Sequence, residues 1–562
     1  TEVVDINPHT RDIEFHGNTS SVAFLDRVRE DYANEDVRTR GARQRRGSII
    51  STFHNDTFPP QQDSIAAWNN NTEDHFFTPQ SYIFLDTYFN NLHYIHPIID
   101  QTSFLQRCED LWRGNAVRQS RSFIALYFSI MSLGALIRTW TEQKILGMGR
   151  FEWSRMLFEK AQIALGRPGT LNDLEAVQAY FLMAKVCQNE ISPNLAYTYL
   201  GMAIRTSLSI GINRNTAPKH TDGYPSADLM SRTWWGLYSL EVELSFALGR
   251  PDSLGMDEYH TRPMPPVDDS EIAILTRMID MSHIMRAVSV AVYLHKIPLA
   301  HRLARALQIR SDMIAWIGKL PERIRPSIDG ISSSGGTLED PQWARLQRLV
   351  LQIRFHNVEM LLLRPFVLHA SKKDPSETLH PTLSDSVTLC TNAAVRTVEI
   401  LYETCRTHIF FRTWWYNVTY LTFAASILLF RAAHPSASDA GPQPDYTTLI
   451  QKSLSILDLM SESVVARKTA DVVRQMLIRG TERASGTPNS TQAQLAANAP
   501  SLEDLSPATA QMVEEAFQTD MPRLGPGLFD GGFWEDGFNF DDMMGGIDPD
   551  QDFPNDFSYP TS

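Results

Sequence analysis

The stretch RTWWGLYSLEVELSFALGRP, residues 232–251, decides the fold. Trp234, Leu237, Leu240, Leu244 and Leu248 recur at helical spacing, and Trp235, Tyr238, Val242 and Phe246 cover much of the remaining circumference. A helix apolar nearly all round belongs in the middle of a bundle, not on its surface. Gly249 is placed to cap its C-terminus, and Pro251 cannot continue it. Glu241 and Glu243 are two residues apart, so they point to different sides of the helix and do not make an acid–base pair. Inside a bundle each needs a partner, and Arg232, Arg250 and Arg205 are the expected ones.

Outward from this helix the text stays helical from about residue 76 to 480. SYIFLDTYFNNLHYIHPI (81–98) carries Ile83, Leu85, Tyr88, Phe89, Leu92 and Ile95 near 3.6 periodicity. NLAYTYLGMAIRTSLSIGI (194–212) puts Leu195, Tyr199, Met202, Ala203, Leu208 and Ile212 on one broad face. Further helices are predicted over 151–165, 173–188, 271–296, 299–318, 342–369, 383–407, 411–433 and 446–479. Alternating β-branched runs with tight turns are not seen, so the class is all-α. The expected architecture is a large multi-helix bundle of stacked helical hairpins, with disordered N-terminal and C-terminal segments. Residues 1–75 read as a basic, mostly disordered linker with a docking element at IEFHGNTSSVAFL (13–25); 481–519 read as a flexible linker and 520–562 as an acidic-aromatic segment.

Composition narrows the function. The 562 residues are 43% hydrophobic and carry a formal charge of −14. Ten acids against Arg523 between Asp520 and Ser562 account for −9 of it, so the rest offers no overall basic field for nucleic acid. Cys108, Cys187, Cys390 and Cys405 lack the paired spacing of a disulfide framework or a zinc cluster. The longest apolar run, Phe123–Ile137, falls short of the ~20 residues that span a bilayer and reads as a buried helix. His93 and His96 could share a metal but lack a third ligand in pattern, and read as core or loop histidines. Asp541 and Asp542 suggest the aspartates of an all-α terpene cyclase, but the further aspartate of that motif is a glycine. Without a phosphate loop or nucleophile elbow, no catalytic residue is assigned and the chain is not read as an enzyme.

The 232–251 stretch resembles the signature helix of the fungus-specific transcription factor domain, the middle homology region of zinc-binuclear-cluster activators. The likeness rests on Arg232, Trp234, Trp235, Leu237, Tyr238, Leu240, Glu241, Ser245, Gly249, Arg250 and Pro251. YFNNLHYIHPIID (88–100) looks like the family's opening helix, AYTYLGMAIRTSLSIGINR (196–214) like the helix before the signature, and FHGNTSSVAFL (15–25) like a short element after the DNA-binding linker. The resemblance implies a nuclear regulatory chain of a sequence-specific RNA polymerase II transcription factor. The family's zinc module needs six close cysteines, which are not here. Zinc and DNA contact are therefore expected only in an upstream module, as a chain starting at Thr1 without Met suggests, the alternative being that this gene product has lost the module. The resemblance also allows a small-molecule effector and a homodimer.

Two further segments bear on function. Phe529, Phe533, Trp534, Phe538, Phe540, Phe553 and Phe557 alternate with the tail's acids, whose repulsion keeps these rings hydrated. That is the composition of an activation segment which folds onto a coactivator groove. Arg43, Arg45, Arg46 and Ser48 have the pattern of a nuclear localisation signal or basophilic phosphosite, with a solvated linker as the plain alternative. A helical interaction scaffold or corepressor that never binds DNA itself is the alternative reading of the whole chain.

Overall fold

The computed structural model describes residues 3–6 and 13–16, then most of residues 76–485, with short internal segments left out. Arg43, Arg45, Arg46, Ser48 and all seven tail aromatics lie outside the described residues, as do 486–519.

The all-α expectation holds. Fourteen α-helices make up the described body: α1 Pro79–Phe89, α2 Gln101–Trp112, α3 Arg121–Ile137, α4 Arg150–Leu165, α5 Leu174–Val186, α6 Pro193–Ser209, α7 Ala227–Leu248, α8 Ile274–Val288, α9 Leu299–Gly318, α10 Gln342–Ser371, α11 Pro381–Thr407, α12 Tyr416–Ala433, α13 Tyr446–Leu459 and α14 Val464–Ser485. Consecutive helices pack in pairs, among them α3 with α4, α5 with α6, α7 with α8 and α10 with α11. One continuous apolar core runs from α1 to α14.

Local chemistry sets the ends of the helices. Asp100, Ser120, Asp173 and Ser226 each accept a hydrogen bond from the third backbone N–H of the helix they begin. Sixteen of the seventeen residues of α3 are buried, as its uninterrupted apolar run predicts, and α7 buries sixteen in succession from Met230 to Ser245. At the end of α7, Gly249 adopts φ +63° and lets the Arg250 N–H return to the Ser245 carbonyl at 2.8 Å. Where α1 crosses α3 there is no room for a side chain on Gly134: a Cβ there would lie 2.0 Å from the Phe84 carbonyl oxygen.

Three expectations need correction. The N-terminal stretch contributes an antiparallel hairpin, β1 Val3–Ile6 and β2 Ile13–His16, with Ile6 opposite Ile13. The strands are only four residues each, too short for an alternation signal to register. The Ile13 N–H donates to the Asn172 carbonyl at 2.9 Å, and Phe15 packs over Gly211. The expected helix over 446–479 is two, broken at Met460–Ser463. The 81–98 helix ends at Phe89 and resumes as a short 3-10 turn, Leu92–Tyr94, and within the first helix Ile83 is exposed rather than on the buried face.

Candidate functional site

The residues of the signature helix do structural work. Trp234 is fully buried, with its ring 4.7 Å from that of His260. The Trp235 indole N–H donates to the carbonyls of Arg262 and Pro263 at 3.2 and 3.1 Å. Both indoles thus hold the loop that returns after Pro251. Arg286, from α8, fastens the same loop: its guanidinium donates to both Asp252 oxygens at 2.8 and 2.9 Å, to Asp257 at 2.9 Å and to the Tyr238 hydroxyl. Burial works against the Arg286 cation, but the two carboxylates outweigh it and raise its pKa.

The expected partners of the two glutamates are corrected. Glu241 accepts from the Ser253 N–H and hydroxyl, both at 2.8 Å, and burial raises its carboxyl above the usual range despite those bonds. Glu243 binds Arg354 of α10, whose Nη2 lies 2.9 and 3.1 Å from its two oxygens. Arg232 turns instead to Asp228 and the Pro97 carbonyl, Arg250 to Asn194 and the Tyr197 ring, and Arg205 stays exposed. Neighbours along the chain were outcompeted by a residue 111 positions away, because packing, not sequence distance, sets which charges meet.

The Glu243–Arg354 pair belongs to a buried polar cluster joining α5, α7, α10 and α12. Lys185 on α5 is fully buried, with its Nζ 2.8 Å from the Tyr416 hydroxyl. Burial pulls Lys185 down to about 7; Glu243 pushes back and Arg354 adds to the fall. Arg354 lies 5.6 Å from the Tyr416 ring, which stacks on Tyr420 at 5.7 Å. His96 borders the cluster beneath the Phe181 ring, and burial drives its pKa well below 6.5. Sequence reasoning missed Arg354, Lys185, Tyr416 and Tyr420. The available signal was Lys185, the one charge in an otherwise uncharged run from Ala176 to Asn189.

The cluster's charged and phenolic side chains are buried and bonded to one another. All four cysteines are free and buried, and burial raises every thiol, Cys405 to about 12. They sit in α2, just after α5 and twice in α11, which does not fit a binuclear zinc site. His93 packs among Tyr88, Phe89 and Tyr94, and among the described residues no three His, Cys, Asp or Glu are placed to hold a metal ion.

A half-open cleft of about 480 Å³ lies at the heads of α2, α5 and α7, beside α3, with Ile6 and Ile13 of the hairpin on its edge. Its walls combine Phe104, Phe123, Leu126 and Leu229 with Arg107, Asp100, Asp173 and Glu175.

The described body is all-α, with internal charge ties, buried thiols and a shaped cleft. Residues 85–277, from α1 to the start of α8, match the fungal specific transcription factor domain. Over that stretch the chain resembles the fungal transcription factors that carry this domain. It is similar to Activator of stress genes 1 of Saccharomyces cerevisiae, 21% identical over 66% of this chain and 41% of that protein. It is also similar to the terreic acid cluster-specific transcription factor atF of Aspergillus terreus, 22% identical over 83% of this chain and 77% of the relative. Transcription factor FBD3 of Fusarium pseudograminearum is 21% identical over 61% of this chain and 49% of its own length. The chain thus spans under half of two of these relatives and about three quarters of the third. They are transcription regulators, not enzymes. Among the described residues no helix is long and apolar enough to cross a membrane.

Proposed function

We propose that the chain is the regulatory and transactivation portion of a sequence-specific RNA polymerase II activator, working in the nucleus. The single observation that carries this reading is a family-matched helical body followed by a segment that interleaves aromatic residues with ten acids. The tail recruits coactivators by folding onto a basic-rimmed apolar groove. The helical body restrains or releases it in response to a small-molecule effector, and a homodimer is the functional unit. DNA contact and its zinc belong to an upstream module, since the four buried cysteines here cannot build one. Arg43, Arg45 and Arg46 serve nuclear import, and phosphorylation of Ser48 would cancel up to two of their charges.

The test fuses the chain to an unrelated DNA-binding domain in a reporter strain. Changing Phe533, Trp534, Phe538 and Phe540 to Ala, with every acid retained, is expected to remove most of the output. Unchanged output sinks the activation reading. Repression by the unmodified fusion would favour the corepressor scaffold instead.

A further inference from the structure

The charged groups on the cleft walls are bound within the protein, while two neutral polar groups on the same walls are not. Arg107 pairs with Glu175, donates through Nε to Gln119 at 3.0 Å and lies 3.9 Å from the centre of the Phe123 ring. Glu175 also accepts the Ser120 hydroxyl at 2.9 Å. Asp100 and Asp173 each accept a backbone N–H of their own helix at 2.8 Å, and Asp173 also accepts the Ser122 hydroxyl. These are caps and ties of the helices themselves, so they express no preference for the charge of a ligand.

Gln178, in the second turn of α5, is different. It is 3% exposed and lines the cleft. Its amide nitrogen donates into the protein, to the Ile98 carbonyl at 2.7 Å and the Thr233 hydroxyl at 3.0 Å. A carbonyl only accepts, so the first bond fixes which limb of the amide is nitrogen. The other limb, the amide oxygen, receives no donor among the described residues, yet protein does not seal it in. It therefore faces the cleft that the residue lines. The Tyr224 hydroxyl, on the same walls, also has no hydrogen-bond partner among the described residues. Burial holds that phenol above its usual pKa against the pull of Arg262, so it is a donor at neutral pH. Buried polar atoms are nearly always paired, and one left open toward a cavity marks where a ligand's donor belongs. The rest of the wall is apolar, with Phe104, Leu126 and Leu229 foremost, and the volume of about 480 Å³ suits a small molecule.

We propose that this cleft binds a small neutral ring compound bearing a hydroxyl, which donates to the Gln178 amide oxygen while the ring lies against Phe104, Leu126 and Leu229. The Tyr224 hydroxyl supplies a second polar contact. This deepens the functional reading by placing its effector, and it rests on that reading only for a consequence in transcription. Selectivity follows from the asymmetry of buried hydrogen bonds. A ligand with a donor pairs the amide oxygen, whereas one of the same shape without a donor covers that oxygen, displaces its water and leaves it unpaired. A charged analogue loses for another reason: its charge leaves water for walls whose own charges are already bound.

The experiment uses the purified full chain at pH 7 and 2-naphthol as the probe, with 2-methoxynaphthalene as the analogue that has no donor. The anion 2-naphthoate and the cation 2-naphthylmethylamine complete the set. Titration calorimetry is expected to show saturable binding of 2-naphthol at one site, with the methyl ether and both ions weaker by about tenfold or more. Gln178→Met keeps the length of the side chain and removes the amide, so 2-naphthol and its methyl ether should then bind alike. A merely structural role for Gln178 would not erase that difference. Ser103 is exposed and lines the cleft, so Ser103→Trp fills the space from outside the core and should abolish binding. Absence of saturable 2-naphthol binding means that water alone meets Gln178, and it overturns the proposal. So does equal binding of the methyl ether or of either ion, or undiminished binding in Ser103→Trp with its circular dichroism intact. A silent reporter alongside intact 2-naphthol binding would sink the activation reading and leave this site standing; an active reporter with no binding would do the reverse.

Discussion

Glu243→Leu is the most informative single change to the body. Arg354 is 2% exposed and Glu243 9%, and the guanidinium reaches both carboxylate oxygens within 3.1 Å. Removing the glutamate leaves the Arg354 cation buried without its carboxylate, among Lys185, Tyr416 and Tyr420. Breaking a buried pair from one side costs about 3–5 kcal/mol, because the remaining charge stays desolvated without its partner. Unfolding entropy grows with chain length, so in a body of this size that loss corresponds to a fall of roughly 4–7 °C in Tm. Differential scanning calorimetry at pH 7.5 measures it directly. The double variant Glu243→Leu, Arg354→Leu should recover most of the loss, since two apolar side chains replace an ion pair that burial made expensive. A single variant as stable as the parent would refute the claim that the pair is desolvated. A double variant no better than the single would show that the loss comes from packing and not from charge.

Two further changes test separate features. Gly134→Ala places a methyl against the Phe84 carbonyl, and α1 must move off α3 to admit it; urea unfolding should show a loss of at least ~1–3 kcal/mol, whereas a neutral result would mean the helices do not cross that closely. Lys185 has a folded pKa of about 7 against an ordinary value of 10.5. Between those values the unfolded chain binds more protons than the folded one, so this residue makes stability rise with pH, by at most ~1.4 kcal/mol per unit. Lys185→Met should flatten that rise between pH 7.5 and 9 in parallel urea titrations; an identical slope in both proteins would place the lysine in contact with water.

How much of this was legible in the sequence depended on whether the signal was local. The α3 run and the Gly-Arg-Pro stop of α7 were readable because helix ends and apolar faces are written within a turn or two of themselves. Ser226 and Gly249 need nothing beyond their own helix to act as caps. The partners of Glu241 and Glu243 were not readable, since the sequence shows which charges must be satisfied but not which helices will meet. The hairpin was missed for a related reason. Val3–Ile6 and Ile13–His16 have little meaning as separate tetrapeptides, and they acquire one only by pairing and by docking against Asn172 and Gly211. The cleft is still less local, as its walls come from the hairpin and from four helices spread over more than 200 residues.

That distribution bears on how such a body could regulate anything. The central charges on α5, α7, α10 and α12 are buried and mutually bound, so any rearrangement there must break several interactions at once. The hairpin docks through buried Val3, Val4 and Ile13, through the Ile13–Asn172 backbone bond and through Phe15 over Gly211. Regions that move in response to ligands are drawn from the least stable part of a fold. By that rule the buried charge cluster and the tryptophan helix form the rigid frame of the body.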